Sequence, residues 1–238
     1  MESKSIVLSS NESRFKTEFY PPIVLDNDSN HSLALLTLDM YNSIPNIDNS
    51  NNEFIYEYNN SEYKFNIPEG SYEINDINNY IQRKLVENGH DDLFRIFANL
   101  NTLKCNIEIN DISAKIHFDH KKSLRHLLGF SNGIIEGAQI HESVNIVQIH
   151  TVNSILVHCS IIGGSYLNKS QKPILYSFSP NVPAGYKIVE NPSSPTYLPV
   201  TVPYIEDIRI WLTDQDQNLI NHRGEEVTIR LELKSVKK

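Results

Sequence analysis

The run Val227-Thr228-Ile229-Arg230-Leu231-Glu232-Leu233-Lys234 alternates without a break. Val227, Ile229, Leu231 and Leu233 fall on one face, and Thr228, Arg230, Glu232 and Lys234 on the other. Such a period of two marks a half-buried strand of an antiparallel sheet. Upstream, Ile205-Glu206-Asp207-Ile208-Arg209-Ile210-Trp211-Leu212-Thr213 puts Ile208, Ile210 and Leu212 on an apolar face, with a polar turn from Asp214 to Gly224 between the two runs. The pair reads as a long hairpin closing one edge of a β-sandwich. It carries no obvious catalytic group.

Working outward, Leu33 to Met40 is apolar on both faces and reads as a central strand. Phe54, Tyr56 and Tyr58 alternate, as do Tyr63, Phe65 and Ile67, with Asn59-Asn60 as the hairpin turn between them. Ile74, Ile77, Ile81 and Leu85 recur at helical spacing. Glu73 and Asp76 stand at the start, Arg83 and Lys84 near the end, and Asn88-Gly89 beyond it, which predicts a helix over 72–87. Leu103, Cys105, Ile107 and Ile109 alternate, and Asn110-Asp111 turns into Ile112, Ala114, Ile116 and Phe118. Ser123 is placed to cap a short helix ended by Gly129. Further strands are expected at 144–150, 154–162 and 173–178, then a long structured loop or series of edge strands from Pro180 to Pro203.

The fold class that follows is all-β: an antiparallel sandwich with one helix near 72–87. The expected organisation is an N-terminal arm over 1–19, an N-terminal β half with the helix over 20–130, a connecting loop over 131–143, a C-terminal β half over 144–234 and a basic tail over 235–238. A chain of 238 residues can bury roughly 70–75% of its unfolded surface, so its core needs no disulfide staples. Cys105 and Cys159 lie far apart, outside any CxxC pattern, and read as buried reduced thiols. The formal net charge of −8 argues against a dedicated nucleic-acid binder, because phosphate neutralisation needs clustered Lys and Arg. No apolar run reaches the roughly 18–20 residues of a membrane span, and Met1-Glu2-Ser3-Lys4 leads into no signal-peptide core.

Three constellations invite a chemical reading. His117-Phe118-Asp119-His120 holds metal-ligand residues, but on a strand His120 points away from His117 and Asp119. His158-Cys159 pairs a base with a thiol, yet neighbours on a strand face opposite sides and Cys159 lines up with Ile155, Val157 and Ile161. Asp214, Asp216, Asn218 and Glu225 match positions of a calcium loop, but Leu219 stands where that loop needs glycine, and the flanks are strands. No cofactor, metal or catalytic set is therefore expected. The residues read as subunit-contact candidates are Arg209, Trp211 and Thr213, on the polar face of their strand, with Tyr186 and Tyr197. The tyrosines Tyr166, Tyr176, Tyr186 and Tyr197 keep open a second class, a small-ligand or glycan-binding sandwich.

Several stretches carry a family resemblance. They are Ile155-Leu156-Val157-His158-Cys159 through Gly164-Ser165-Tyr166-Leu167-Asn168, Pro183 to Glu190, Tyr197-Leu198-Pro199-Val200 and Arg223 to Thr228. Tyr41 to Asn46 and Ile67 to Ile74 join them. From about residue 20 to 234 the chain resembles capsid-like proteins of Polinton (Maverick) elements and adintoviruses. Gln217 departs from that pattern, which often has glycine there, so a turn of different shape is implied.

The resemblance implies a jelly-roll capsid subunit, either a single elaborated jelly roll or two compact tandem ones. Minor (penton) proteins of such elements are single jelly rolls forming pentamers; major ones are double jelly rolls forming trimers and are usually longer. Length favours the penton-like role. The implied partners are further copies of the chain (pentamer favoured, trimer possible) and the element's other capsid proteins, with no sequence-specific nucleic-acid binding and no membrane. The implied location is the virion, with assembly in the host nucleus or cytoplasm.

Overall fold

A computed structural model describes residues 2–238. The chain divides into two compact units, one of residues 2–44 and 152–238, the other of residues 45–151. The first unit opens with β1 (Glu2–Ser10), β2 (Arg14–Val24) and β3 (Ser29–Tyr41). The second holds β4 (Glu53–Tyr58), β5 (Ser61–Asn66), α1 (Ile74–Glu87), β6 (Phe94–Asn99), β7 (Lys104–Ile109), β8 (Ala114–His117), α2 (Arg125–Leu128), β9 (Ile134–Glu136) and β10 (Ile140–Glu142). The first then resumes with β11 (Ile155–Cys159), β12 (Tyr166–Leu167), β13 (Ser170–Gln171), β14 (Ile174–Phe178), β15 (Lys187–Glu190), β16 (Leu198–Pro199), β17 (Tyr204–Thr213) and β18 (Val227–Lys237).

The first unit is an antiparallel sandwich. One sheet has the order β1-β18-β3-β15, with β16 also pairing β3, and the other the order β14-β11-β17-β2. Counting only these eight principal strands along the unit, the orders are first-eighth-third-sixth and fifth-fourth-seventh-second. That is the interleaving of two Greek keys in a jelly roll. The unit is thus a single jelly roll, with the other unit inserted in sequence between its third and fourth strands.

Val227, Ile229 and Leu231 are wholly buried and Leu233 nearly so, facing a core that also holds Ile208, Ile210 and Leu212. Each such side chain contributes about 1.5–3 kcal/mol on burial. The alternation therefore identifies the inner faces of both strands correctly, but not their partners. β17 and β18 are not a hairpin: β18 lies between β1 and β3, while β17 lies between β11 and β2 in the other sheet. Residues 214–226 carry the chain across. Facing sheets stand about 10 Å apart, and a link of this length spans that gap easily.

Residues 2–10 and 14–19 are strand rather than arm, joined by a short link. Ile6 and Leu8 are buried beside β18, and Phe15, opposite Ile210 of β17, faces the sandwich core. Their polar partners Ser3, Ser5, Lys16 and Glu18 face outward, so the segment looks polar in composition while following the same period of two. The basic tail is likewise part of β18 through Lys237, paired with Ser29.

In the second unit, sheets β5-β4-β8-β9 and β10-β7-β6 enclose a core with α1. Phe54, Tyr56 and Phe94 fill it beside Ile77, Ile81 and Leu85 of the helix. Asn59 and Asn60 both take positive φ, 51° and 62°, as a two-residue hairpin turn requires. At the start of α1 the Asp76 carboxylate accepts the Glu73 N–H at 3.1 Å. At its end Gly89 (φ 73°) lets its own N–H reach Val86 O and the His90 N–H reach Leu85 O, at 3.0 and 2.9 Å.

Three expectations fail here for identifiable reasons. The stretch 131–143 is not a boundary: β9 pairs β8 and β10 pairs β7, so it ties the unit's two sheets together. Residues 144–150 form no strand, because the N–H groups of Asn145, Val147 and Gln148 go to Gly129, Leu103 and Leu127 instead of to one ladder. Ser123 caps nothing; its hydroxyl turns back to His120 O at 2.9 Å, and Leu124 occupies the cap position.

Candidate subunit-contact surfaces

β11 is buried on both sides. Ile155, Val157 and Cys159 enter the sandwich core, leaving His158 on the outer face of its sheet. Cross-strand register then sets three side chains in a row, His158 beside Trp211 and Trp211 beside Arg14. The imidazole lies flat on the indole, ring centroids 4.9 Å apart and planes 6° from parallel. The Arg14 guanidinium sits 5.8 Å from the indole centroid. His158 Nε2 and Thr213 Oγ1 are hydrogen-bonded at 2.9 Å, whereas buried Nδ1 has no hydrogen-bond partner among the described residues. Burial pushes the His158 pKa down to about 4, and the cations Lys172 and Arg14 push in the same direction.

The contact candidates on β17 therefore separate. Thr213 is buried, committed to His158, and is no surface residue. Trp211 is half-buried between its own neighbours. Arg209 remains exposed and pairs with Asp207 at 3.3 Å, a carboxylate that Lys16 also approaches to 3.4 Å. Tyr197 lies beside the opposite sheet: its hydroxyl donates to Glu232 and the Lys234 ammonium sits 4.1 Å from its ring centroid. Hydrogen bonds from Ser3 and then Tyr197 hold the Glu232 carboxyl below its ordinary pKa. Tyr186 is exposed, in the turn before β15, where its carbonyl accepts the Asn42 N–H at 2.9 Å. The five candidates do not form one surface.

Besides Val7 and Tyr166, exposed apolar side chains of this unit gather at two sheet edges, the second of which includes Tyr186. On edge strand β2 the register jumps from Ile23 opposite Ile205 to Glu18 opposite Asp207, so Phe19 to Pro22 bulge out. Phe19 packs back on the core while Tyr20 is fully exposed. Val24 and its register partner Tyr204 stand exposed beside it. On edge strand β15, Val189 is exposed beside Tyr41 of β3 and Tyr186 of the preceding turn. Tyr20-Pro21-Pro22 is visible in the sequence, but only as punctuation; that it sits on an edge depends on pairings no local pattern records.

The chemical constellations are held apart. His117 approaches Asp119 through Nδ1 (3.6 Å) and Glu57 through Nε2 (3.8 Å), while His120 faces Glu53 at 3.7 Å. Among the described residues no three His, Cys, Asp or Glu side chains converge as metal ligands. Asp214 is occupied by its own loop, accepting the N–H groups of Asp216 and Asn218 at 2.8 Å each. Cys159 is buried in the sandwich and Cys105 in the other unit, with burial pushing both thiols up to about 12. Gln217 takes φ 69°, the left-handed conformation a glycine would supply, so the turn keeps that shape despite the substitution.

No protein-family model matches the sequence, and no curated protein matches it either. Among solved structures, the chain is similar to the crystal structure of the mavirus penton protein, with a TM-score of 0.52 at 10% sequence identity. The match covers 99% of this chain and 100% of that one. At that identity the likeness is one of fold, and it extends over the inserted unit as well as the jelly roll.

Proposed function

We propose that this chain is a structural subunit of a capsid-type shell, in a penton-like minor role, within an element of the Polinton or adintovirus kind. The observation that carries the reading is the breadth of the likeness to the mavirus penton protein. A jelly roll alone hosts many functions. A jelly roll with a second unit inserted after its third strand, similar from end to end to a penton protein, is a far narrower match. One jelly roll in the chain favours the minor subunit over a double-jelly-roll major one, and a pentamer over a trimer. Against the ligand-binding alternative, the hydroxyls of Tyr176 and Tyr197 already point at Glu190 and Glu232.

Co-expression with the capsid proteins encoded beside it tests the role. The reading expects particles that contain this chain as a minor, stoichiometric component. Particles that form normally while excluding it contradict the reading.

A further inference from the structure

Resting on that reading, we infer that copies of this chain join head to tail, the Tyr20-Val24-Tyr204 edge of one against the Tyr41-Tyr186-Val189 edge of the next. Both clusters consist of two tyrosines and a valine exposed at a sheet edge. They lie on opposite flanks of the same sandwich. The short link from Ser10 to Arg14 keeps β1 and β2 together on one flank, and the strand orders then put β14 and β15 on the other. Two different patches on opposite sides are what a heterologous contact needs, and such contacts close into rings when the rotation allows. A two-fold contact would use one patch and leave the other in water.

The chemistry of the edges fits side-chain docking rather than strand addition. Pro21 and Pro22 offer no N–H to a partner strand. Each patch is rimmed by charges already neutralised within the chain: Lys16 with Glu18 and Asp207 at one edge, Lys187 with Asp39 at the other. An aromatic centre with a paired polar rim is the usual anatomy of a protein contact. Each aromatic side chain buries about 150–250 Å², so one patch supplies about half of the ~800 Å² per partner of a stable interface. The remainder has to come from the flanking edge strands.

The test is a mixing experiment with Tyr20→Glu and Tyr186→Glu, whose circular dichroism should match the wild type because both side chains lie outside the core. Each variant keeps one patch intact. The inference expects each alone to lose the wild-type oligomer, with association weakened at least a hundredfold, and an equimolar mixture to form a 1:1 dimer through the surviving pair of patches. Variants that assemble like a self-associating wild type overturn the inference and leave the capsid reading standing. Self-association of Tyr186→Glu alone through its intact Tyr20 edge overturns the head-to-tail geometry. A wild-type chain that stays monomeric contradicts both.

Discussion

His158 lies face to face with Trp211, 4.9 Å between ring centroids, with one ring nitrogen bonded to Thr213 and the other buried, without a partner among the described residues. The stack joins β11 to β17 on the outer face of the sheet. Burial of the ring favours the neutral imidazole there, and its charged neighbours, Lys172 and Arg14, are both cations.

Acid should therefore destabilise the jelly roll through this residue. The folded pKa is about 4 against an ordinary 6.5, so the unfolded chain binds the proton more readily between those values. Stability from this source is complete above pH 6.5 and is lost as pH falls towards 4. The loss is about 2 kcal/mol by pH 5 and about 3 kcal/mol in full. Urea unfolding of wild type and His158→Phe from pH 7.5 to 4.5 checks it: the wild type should lose that much more than the variant. Parallel curves would show that His158 is not the group.

Reversing the polarity of β18 should depend on the face. Ile229→Asp places a charge in the sandwich core and should abolish soluble folded protein. Thr228→Asp should still fold, at a cost of about 1 kcal/mol, because it loses the bond to Ser9 and stands opposite Asp39. Soluble yield and denaturant midpoint decide; equal tolerance of both contradicts the register.

How much of this was legible follows from the range of each signal. Inner faces are local: a period of two in 227–233 and a period near four in 74–85 need only neighbouring residues, and both place the buried side chains correctly. Pairing is not local. Nothing in 205–233 distinguishes a hairpin from two strands in facing sheets, because either buries the same faces. The division at 44 and 151 was hidden for the same reason, as a unit assembled from both ends of the chain leaves no compositional step. The contact candidates suffered most. Strand alternation placed Thr213 on an outer face, but not beneath the neighbours that bury it, and Tyr20 owes its exposure to a bulge known only from pairing.

Gln217→Gly should stabilise the protein by about 0.5–1 kcal/mol. The left-handed backbone at φ 69° costs a side-chain-bearing residue about 1–2 kcal/mol, and the flexibility glycine adds to the unfolded chain returns part of that. A lower thermal midpoint for the variant would contradict the turn geometry.

Both thiols should resist modification in the native state. Cys105 and Cys159 are fully buried with thiol pKa values of about 12, so an aromatic disulfide reagent should label neither at pH 8 and both in urea. Rapid labelling of either without denaturant would contradict its place in the core.

The central claim is self-assembly, and light scattering of the purified full chain across concentration and salt, with negative-stain imaging of the same samples, tests it most directly. The account predicts one discrete ring-shaped oligomer, a pentamer, at micromolar concentration and above. A monomer of constant mass over the whole series would contradict it.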